Sequence, residues 1–494
     1  MVPGEFTAPT IDWAALSPVL VTLGGATVVL LVGIFLPVRA RRAFGAVLAA
    51  LCFVGAGAAA IALFVVDETS RGIVADAVRR DRLAELAQVL IMGAALLTVG
   101  VSFRESDRDE RGPEYYALLL TAAGGMAFFV SANNLMTLFL GLEWFSICLY
   151  VLTAIAVERL PGLEAGLKYL IVGSFGSAIL LFGSALVYGA TGAIGFEEIA
   201  AQTSDADRLF LVAGLAMILV GLAFKASAAP FHMWTPDVYQ GAPTPVTGFM
   251  AAATKVAALV LTLRLLVTAF PGEEELWTIA LAVIACVSLA WGNLAALVQS
   301  DVKRMLAYSS ISHAGFLLMP IAAANAVGGR ALLYYLVPYA AMSVGAFAIV
   351  AARERELVRP VTFADLAGFG WERPFLGIAM AIFMFGFIGL PPAGLFLGKV
   401  YAFVAAYERG WLWLVIVGVV ATVVSIYYYL YVLRAMYMQS PEIRLAPAGG
   451  SPPRDSMLSA TVALSLVVAV GSFLAADPLL HTVRDAVSFL AFPH

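Results

Sequence analysis

The sequence predicts an all-α polytopic membrane protein of about fourteen crossing helices, and three observations carry that prediction. Hydrophobic residues make up 62% of the 494, charged residues only 13%, and mean hydropathy is +0.93; an average soluble domain is roughly 25% charged. Apolar windows about 20 residues long, the length needed to cross the hydrocarbon, recur along nearly the whole chain. Two of the windows are interrupted part-way by proline, and irregular backbone at membrane depth is tolerated only inside protein or beside a wet cavity.

Apolar runs bounded by charge, Pro or Gly place the first spans near 14–37, 43–66, 83–103, 114–131 and 134–157. The next lie near 163–190, 208–226, 243–269, 276–298 and 303–323, and the last near 330–352, 374–407, 411–438 and 456–475. A short amphipathic tail, His481 to His494, is expected at the surface. Residues 1–18 have no positive region ahead of the first apolar run and no evident cleavage site, so the first helix is expected to stay in place.

Charge sets further bounds. A net charge of −4 and a pI near 5.7 give no basic stripe of the kind that nucleic acid requires. Cys52, Cys148 and Cys286 stand far apart in apolar stretches, without the paired spacings of zinc or iron-sulfur sites, and read as small buried hydrophobes. Cytoplasmic loops carry the excess of Arg and Lys. The richer set of alternate loops holds Arg39, Arg41 and Arg42; Arg104, Arg108 and Arg111; Lys303 and Arg304; Arg353, Arg355 and Arg359; and Arg434. One opposing loop, with Arg71, Arg79, Arg80 and Arg82, breaks the pattern but also carries Asp67, Glu68, Asp76 and Asp81. Both termini are therefore expected outside the cytoplasm.

The two interruptions run from Phe224 to Pro230 and from Gly389 to Gly394, the second holding Pro391 and Pro392. Lys225 stands in the first and Lys399 follows the second. Paired broken helices in two halves of a chain point to inverted repeats meeting at a midplane site; ordinary kinks are the competing reading.

Lysine usage points to chemistry. Of the 29 cations only five are lysines (Lys168, Lys225, Lys255, Lys303 and Lys399), and Lys225, Lys255 and Lys399 are inside apolar spans. Arg keeps its proton in proteins, whereas a buried Lys can give its proton up, so the choice of Lys at depth suggests that deprotonation matters. Glu143 is the matching acid within a span, and a charge at a helix centre costs about 2.5–3.5 kcal/mol even on the gentlest insertion scale. Its expected partner is one of the lysines, Lys225 first among them, in a pair whose changing separation would load and release a proton; a static ion pair that fixes packing is the competing reading. Lys255 stands in a small-residue stretch suited to close helix packing. His313, among Ser309, Ser310 and Ser312, is either a proton relay or a hydrogen-bonded core residue. His232, Asp237 and Tyr239, after the first break, line an uptake path or simply shape a loop near the cytoplasmic surface. Lys168, Lys303 and Arg304 read as orientation charges. Gly394 to Lys399 is too short and too apolar for a phosphate loop, and no haem ligand pair, dinucleotide turn or Ser-His-Asp arrangement is present. No redox chemistry is expected in this chain, and no metal or cofactor site.

Four segments carry a family likeness: Leu142 to Tyr150, Phe224 to Tyr239, Gly241 to Thr247, and Ser300 to Ser310. They closely resemble the subunit N family of bacterial NADH-quinone oxidoreductase, respiratory complex I, over about residues 113–438. That family is similar to cation/proton antiporter subunits and has two inverted five-helix repeats, each with a broken helix. The resemblance implies that Glu143 is the fifth-helix acid, Lys225 the broken seventh-helix lysine, Lys255 the eighth-helix lysine and Lys399 the broken twelfth-helix lysine. Subunit M has a glutamate at the last position, so Lys399 points to N or L. The residues Asp237 to Pro243 favour N, and the long lateral helix expected of L does not follow. The implied division is 1–112 for three leading helices, 113–270 and 271–440 for the two repeats, and 441–494 for the last helix and tail.

The implied function is proton translocation across the plasma membrane, coupled to NADH oxidation and quinone reduction in other subunits that hold the FMN and iron-sulfur clusters. Menaquinone is a candidate acceptor if the Arg and Ala richness reflects a high-GC genome. Subunits M and K are the implied neighbours in the membrane arm. Two rivals use the same features: a Na⁺/H⁺ antiporter subunit, and a purely structural membrane-arm subunit.

Overall fold

The computed structural model describes residues 11–66, 69–104, 111–440 and 455–492. Residues 1–10, Asp67, Glu68, Arg108, the 441–454 segment and the terminal His494, all of which entered the sequence reading, lie outside the described residues. Each expected span corresponds to a helix or a run of short helices. The first are α1 (Ser17–Phe35), α2 (Val38–Val66), α3 (Arg82–Ser102), α4 (Gly112–Val130), α5 (Leu135–Thr153) and α6 (Leu160–Thr191). A short α7 (Phe196–Gln202) precedes α8 (Arg208–Lys225), and α9 (Thr235–Gly241) and α10 (Thr244–Phe249) lead through a π-helical turn, Met250–Thr254, into α11 (Lys255–Ala269). Next come α12 (Glu274–Ala296), α13 (Val302–Ala322), α14 (Ala326–Leu357) and the one-turn α15 (Phe369–Glu372). The chain ends through α16 (Pro374–Ile388), α17 (Leu395–Glu408), α18 (Leu412–Met438), α19 (Ser456–Leu474) and α20 (Ala476–Val487).

Among the described residues twelve helices are long and apolar enough to cross a membrane, or thirteen if a pair bent by 116° around Arg373 counts as one span. The difference from fourteen has two physical sources. The first turns of α4 carry Glu114, Tyr115 and Tyr116, which lower its apolarity, and the 374–407 span is divided into α16 and α17, of 15 and 14 residues.

The helices sort by burial. The stretch Thr244–Ala269 is wholly buried, and α13 and α14 nearly so, while α1, α2, α18 and α19 expose Val, Leu and Ile over most of their surface. Helices apolar all round are buried in the bundle or face lipid. Close approach depends on small residues: a Cβ on Gly183 would meet the Gly214 carbonyl oxygen at 2.7 Å, and one on Gly292 would meet the Ser312 amide nitrogen at 2.5 Å, so α6 packs on α8 and α12 on α13 backbone to backbone.

A hairpin that the sequence reading did not contain joins α2 to α3. Strands β1 (Arg71–Ile73) and β2 (Val78–Arg80) pair antiparallel, with Arg71 opposite Arg80. This is the loop whose arginines break the orientation pattern, and the structure shows what they do instead. Arg71 pairs with Asp12 at 2.6 Å, Arg79 with Glu197 and Arg80 with Glu85 at 3.2 Å. Asp81 caps α3 through the Ala84 amide and takes both guanidinium arms of Arg264, at 2.5 and 2.7 Å, with both side chains 1% exposed. The amphipathic α20 lies over the same end, its following Phe489 ring within 5.9 Å of the Arg79 and Arg264 guanidinium carbons.

Candidate functional site

The first interruption ends α8 at Lys225, with Ser227 in the left-handed region at φ +61° and Pro230 unable to continue the helix. The second ends α16 at Ile388, where Gly389 sits at φ +92° and a Cβ would meet Lys399 Cδ at 2.8 Å, so glycine is required both for the turn and for the lysine beside it. Each break leaves backbone carbonyls without their helical donors, at the end of a helix where the dipole is negative.

The buried lysines occupy those ends. Lys255 is 0% exposed and donates to the Ala226 carbonyl at 2.9 Å. Lys399 donates to the carbonyls of Phe387 and Ile388 at 3.0 and 2.9 Å, with its ammonium 4.2 Å from the Phe316 ring centroid. Lys225, at the end of its own helix, donates to Ser146 Oγ at 2.6 Å and Tyr169 Oη at 3.4 Å, and sits 4.5 Å from the Phe145 ring centroid. Neutral oxygens and ring faces therefore hold all three.

This corrects the expected Glu143–Lys225 pair. The two interact through their charges, but no contact at 4.0 Å or less joins them. Ser146, nearly one turn after Glu143, takes the Lys225 ammonium, while Glu143 lies at the edge of the stripe formed by the exposed Met136, Leu140 and Ile147. One Glu143 oxygen, Oε1, is buried there without a hydrogen-bond partner in the chain.

His313 lies between the two breaks, and the charges acting on it are those of Lys399 and Lys255. Its ring nitrogens face Tyr335 Oη at 2.7 Å and Tyr429 Oη at 3.0 Å, and Tyr429 in turn contacts Ser309. Asn293 extends the network by donating to Ser312 Oγ at 2.9 Å and accepting from Tyr428 Oη at 2.9 Å. A cavity of about 10 Å³ adjoins this group, lined by Ala251, Ser309, Ser310, Tyr339, Ser343 and Phe387 among others. That is about the least volume that holds one water. It touches all three parts of the site: Ala251 is one turn before Lys255, Ser309 one turn before His313, and Phe387 supplies a carbonyl to Lys399.

The other expected residues fall outside this axis. Lys303 is buried, donates to the Ala242 carbonyl at 2.8 Å and stands 3.7 Å from Glu354. Lys168 and Arg304 both bind Asp237, at 2.9 and 2.6 Å. Asp237 belongs to the short helix α9; burial works against its ionisation, but Arg304 and Lys168 outweigh that and hold its carboxyl below the usual value. His232 and Tyr239 are buried, and the Tyr239 hydroxyl has no partner in hydrogen-bond geometry. Tyr169, Tyr335, Tyr339, Tyr429 and Asn293 were missed. A usable signal existed in the tyrosine runs Tyr334–Tyr335 and Tyr427–Tyr428–Tyr429 inside apolar spans, since a buried hydroxyl must find a partner. Among the described residues no group of three or more His, Cys, Asp or Glu could hold a metal ion.

Residues 132–425 match a family described as NADH:quinone oxidoreductase/Mrp antiporter, transmembrane. The chain is 40% identical over 499 aligned residues to a protein of Roseiflexus castenholzii named NADH-quinone oxidoreductase subunit N 2, covering 98% of each chain. The chain belongs to the subunit N family of NADH-quinone oxidoreductase. A solved subunit of respiratory complex I from Thermus thermophilus superposes with a TM-score of 0.79 at 32% identity, covering 95% of this chain and all of that one. A chain of the Mrp complex from a Dietzia species shares the fold at 20% identity, with a TM-score of 0.84 over 97% of each chain. As a subunit N protein the chain is a proton-translocating membrane subunit of a quinone-reducing complex in the bacterial plasma membrane, working with other membrane-arm subunits. The antiporter reading is not favoured, because relatives matching over 98% of the chain at 38–40% identity are named NADH-quinone oxidoreductase subunit N.

Proposed function

We propose that Glu143, Lys225, Lys255, His313 and Lys399 are the groups that carry protons through this subunit. The observation behind this is that the buried lysines are held at broken helix ends by neutral acceptors. An ammonium that loses a proton to become an amine still has two donors, so it can keep its bond to a carbonyl. A lysine in a tight ion pair would instead leave a buried carboxylate unpaired, at a cost of about 3–5 kcal/mol. Deprotonation is thus the less disruptive event here.

In this reading Glu143 governs Lys225 through its field, and the half-open face of α5 exposes Glu143 to whatever packs against it in the complex. A neighbouring subunit that moves a charge near Glu143 would load or unload Lys225. Lys255, bound to the carbonyl next to Lys225, takes the proton on. The His313 network and the cavity beside it bridge to Lys399, which releases the proton on the far side of the membrane. Subunits M and K are the proposed neighbours. The NADH, FMN, iron-sulfur and quinone chemistry, with menaquinone as a candidate acceptor, lies elsewhere in the complex. The arginine-rich end is placed in the cytoplasm and both termini outside. The two breaks, each with its lysine, support two repeats over 113–270 and 271–440, between leading helices 1–112 and a closing segment 441–494.

The test is Lys225→Met in the assembled complex reconstituted into liposomes, with protons moved per NADH oxidised as the readout. A reduced ratio is expected; an unchanged ratio and rate would defeat the assignment.

A further inference from the structure

We propose that Glu354 is the carboxylate through which protons enter this subunit from the arginine-rich end, and that they travel past Thr244, Tyr239, Ser310 and Tyr339 to Lys255. The inference rests on Lys255 being a proton-handling group, as proposed above.

Three helical segments send one face each into the same column. On α13 the spacing of Lys303, Leu306, Ser310 and His313 puts them on one side, as does that of Tyr339, Ser343, Phe347 and Glu354 on α14. Thr244, Thr247, Ala251 and Lys255 do the same along the run from α10 to α11. The outer end of the column is a cluster in which Thr244 donates its hydroxyl to Glu354 and Lys303 stands 3.7 Å from the other carboxylate oxygen. The inner end is the water-sized cavity, lined by Ser310, Tyr339, Ser343 and Phe347 and next to the π-turn that leads into Lys255.

Between the ends lies Tyr239. Its hydroxyl is fully buried and interacts with Ser310 and Ser227 outside strict hydrogen-bond geometry, its ring meets Phe347 edge-on at 6.1 Å, and its carbonyl accepts from Thr247 at 3.1 Å. A hydroxyl both donates and accepts, so one loosely held between two serines is placed to pass a proton along. Ser310 and Tyr339 then share a hydrogen bond at 3.1 Å at the cavity wall.

The pairing of Glu354 differs from that of Asp237 and Asp365 at the same end. Asp237 is gripped by two cations, at 2.9 and 2.6 Å, and Asp365 by Arg359 and Thr362; both are held ionised. Glu354 has one cation at a looser distance, and its side chain is 20% exposed, enough to meet water. It can take a proton from solvent and hand it inward without breaking a tight bridge.

The experiment compares complexes in liposomes carrying Glu354→Gln, Glu354→Asp, the double variant Glu354→Gln with Lys303→Met, and Tyr239→Phe, with Lys255→Met as the internal standard. Protons moved per NADH oxidised is read alongside assembly on native gels. Glu354→Gln and the double variant should lose as much translocation as Lys255→Met, Glu354→Asp should recover most of it, and Tyr239→Phe should slow it with assembly intact. If Glu354→Gln disturbs assembly by stranding Lys303, the double variant, which removes that charge, carries the test. An assembled double variant that pumps like wild type while Lys255→Met does not would overturn the Glu354 route and leave the Lys255 reading standing. If Lys255→Met also pumped normally, the reading beneath it would fall.

Discussion

At the residue scale the choice between lysine and arginine separates two jobs. The fully buried arginine, Arg264, is clamped by Asp81 through both guanidinium arms, a geometry suited to a permanent charge. The buried lysines of the breaks rest on carbonyls, hydroxyls and rings. Two predictions belong here. Lys255→Arg keeps the charge but removes the ability to release a proton, so it should lose translocation about as fully as Lys255→Met, with assembly on native gels retained; recovery of pumping would mean that charge alone suffices. Asp81→Asn should destabilise the subunit by about 3–5 kcal/mol by leaving Arg264 buried and uncompensated, read as a lowered thermal midpoint, whereas Asp81→Asn with Arg264→Met should recover most of that loss. At this scale the sequence exposed Lys225, Lys255, Lys399, Glu143 and His313, because ionisable groups stand out in apolar surroundings. It did not expose Tyr335 or Tyr429 as their partners, because an aromatic residue in a membrane helix is compatible with simple packing until its hydroxyl is seen to touch something.

At the element scale the two broken helices set where the cations can sit. Helix α17 must approach α14 closely for Lys399 to reach the carbonyls of α16, and Gly398 permits it: a Cβ there would meet Tyr335 Cα and Cδ2 at 3.0 Å. Gly398→Leu should therefore push Tyr335 away from His313 and cost about 1–3 kcal/mol from overpacking. The measurement is proton translocation together with a thermal melt, and a variant indistinguishable from wild type in both would show that the contact is slack. Proline made the breaks legible in the sequence. The hairpin β1–β2 was not legible, since three-residue strands rich in arginine carry no apolar alternation. Nor was the contact of Ser146 rather than Glu143 with Lys225, because near-uniform hydrophobicity on α5 gives no periodic pattern from which to read a face.

At the scale of the whole molecule, charge is distributed unevenly between a buried axis and two more exposed ends. The arginine-rich end is tied together by bridges such as Lys168–Asp237–Arg304 and Arg359–Asp365. The carboxyls of Asp237 and Asp365 are both held below their ordinary value of 3.8. Their contribution to stability is therefore fully present above that value and is lost as pH falls through the lower, folded value. Acid unfolding of the detergent-solubilised complex should lose less in Asp237→Asn than in wild type, and added salt should shrink the difference, since exposed pairs are screened; an identical acid profile would remove Asp237 from the account.

The sequence by itself determined that the chain is a membrane helix bundle, where its spans lie, which ionisable groups are sunk in them and which two helices break. Those follow from local facts: transfer to hydrocarbon acts residue by residue, and proline breaks a helix wherever it stands. Tertiary structure alone decided what each buried charge rests against. It set Ser146 rather than Glu143 against Lys225, buried Lys303 beside Glu354, matched Arg264 to Asp81 across 183 positions of sequence, and brought the cavity, His313 and both breaks together. In a bundle this apolar, hydrophobicity leaves helix rotation nearly undetermined, and the faces are set by small-residue contacts and hydrogen bonds between distant segments.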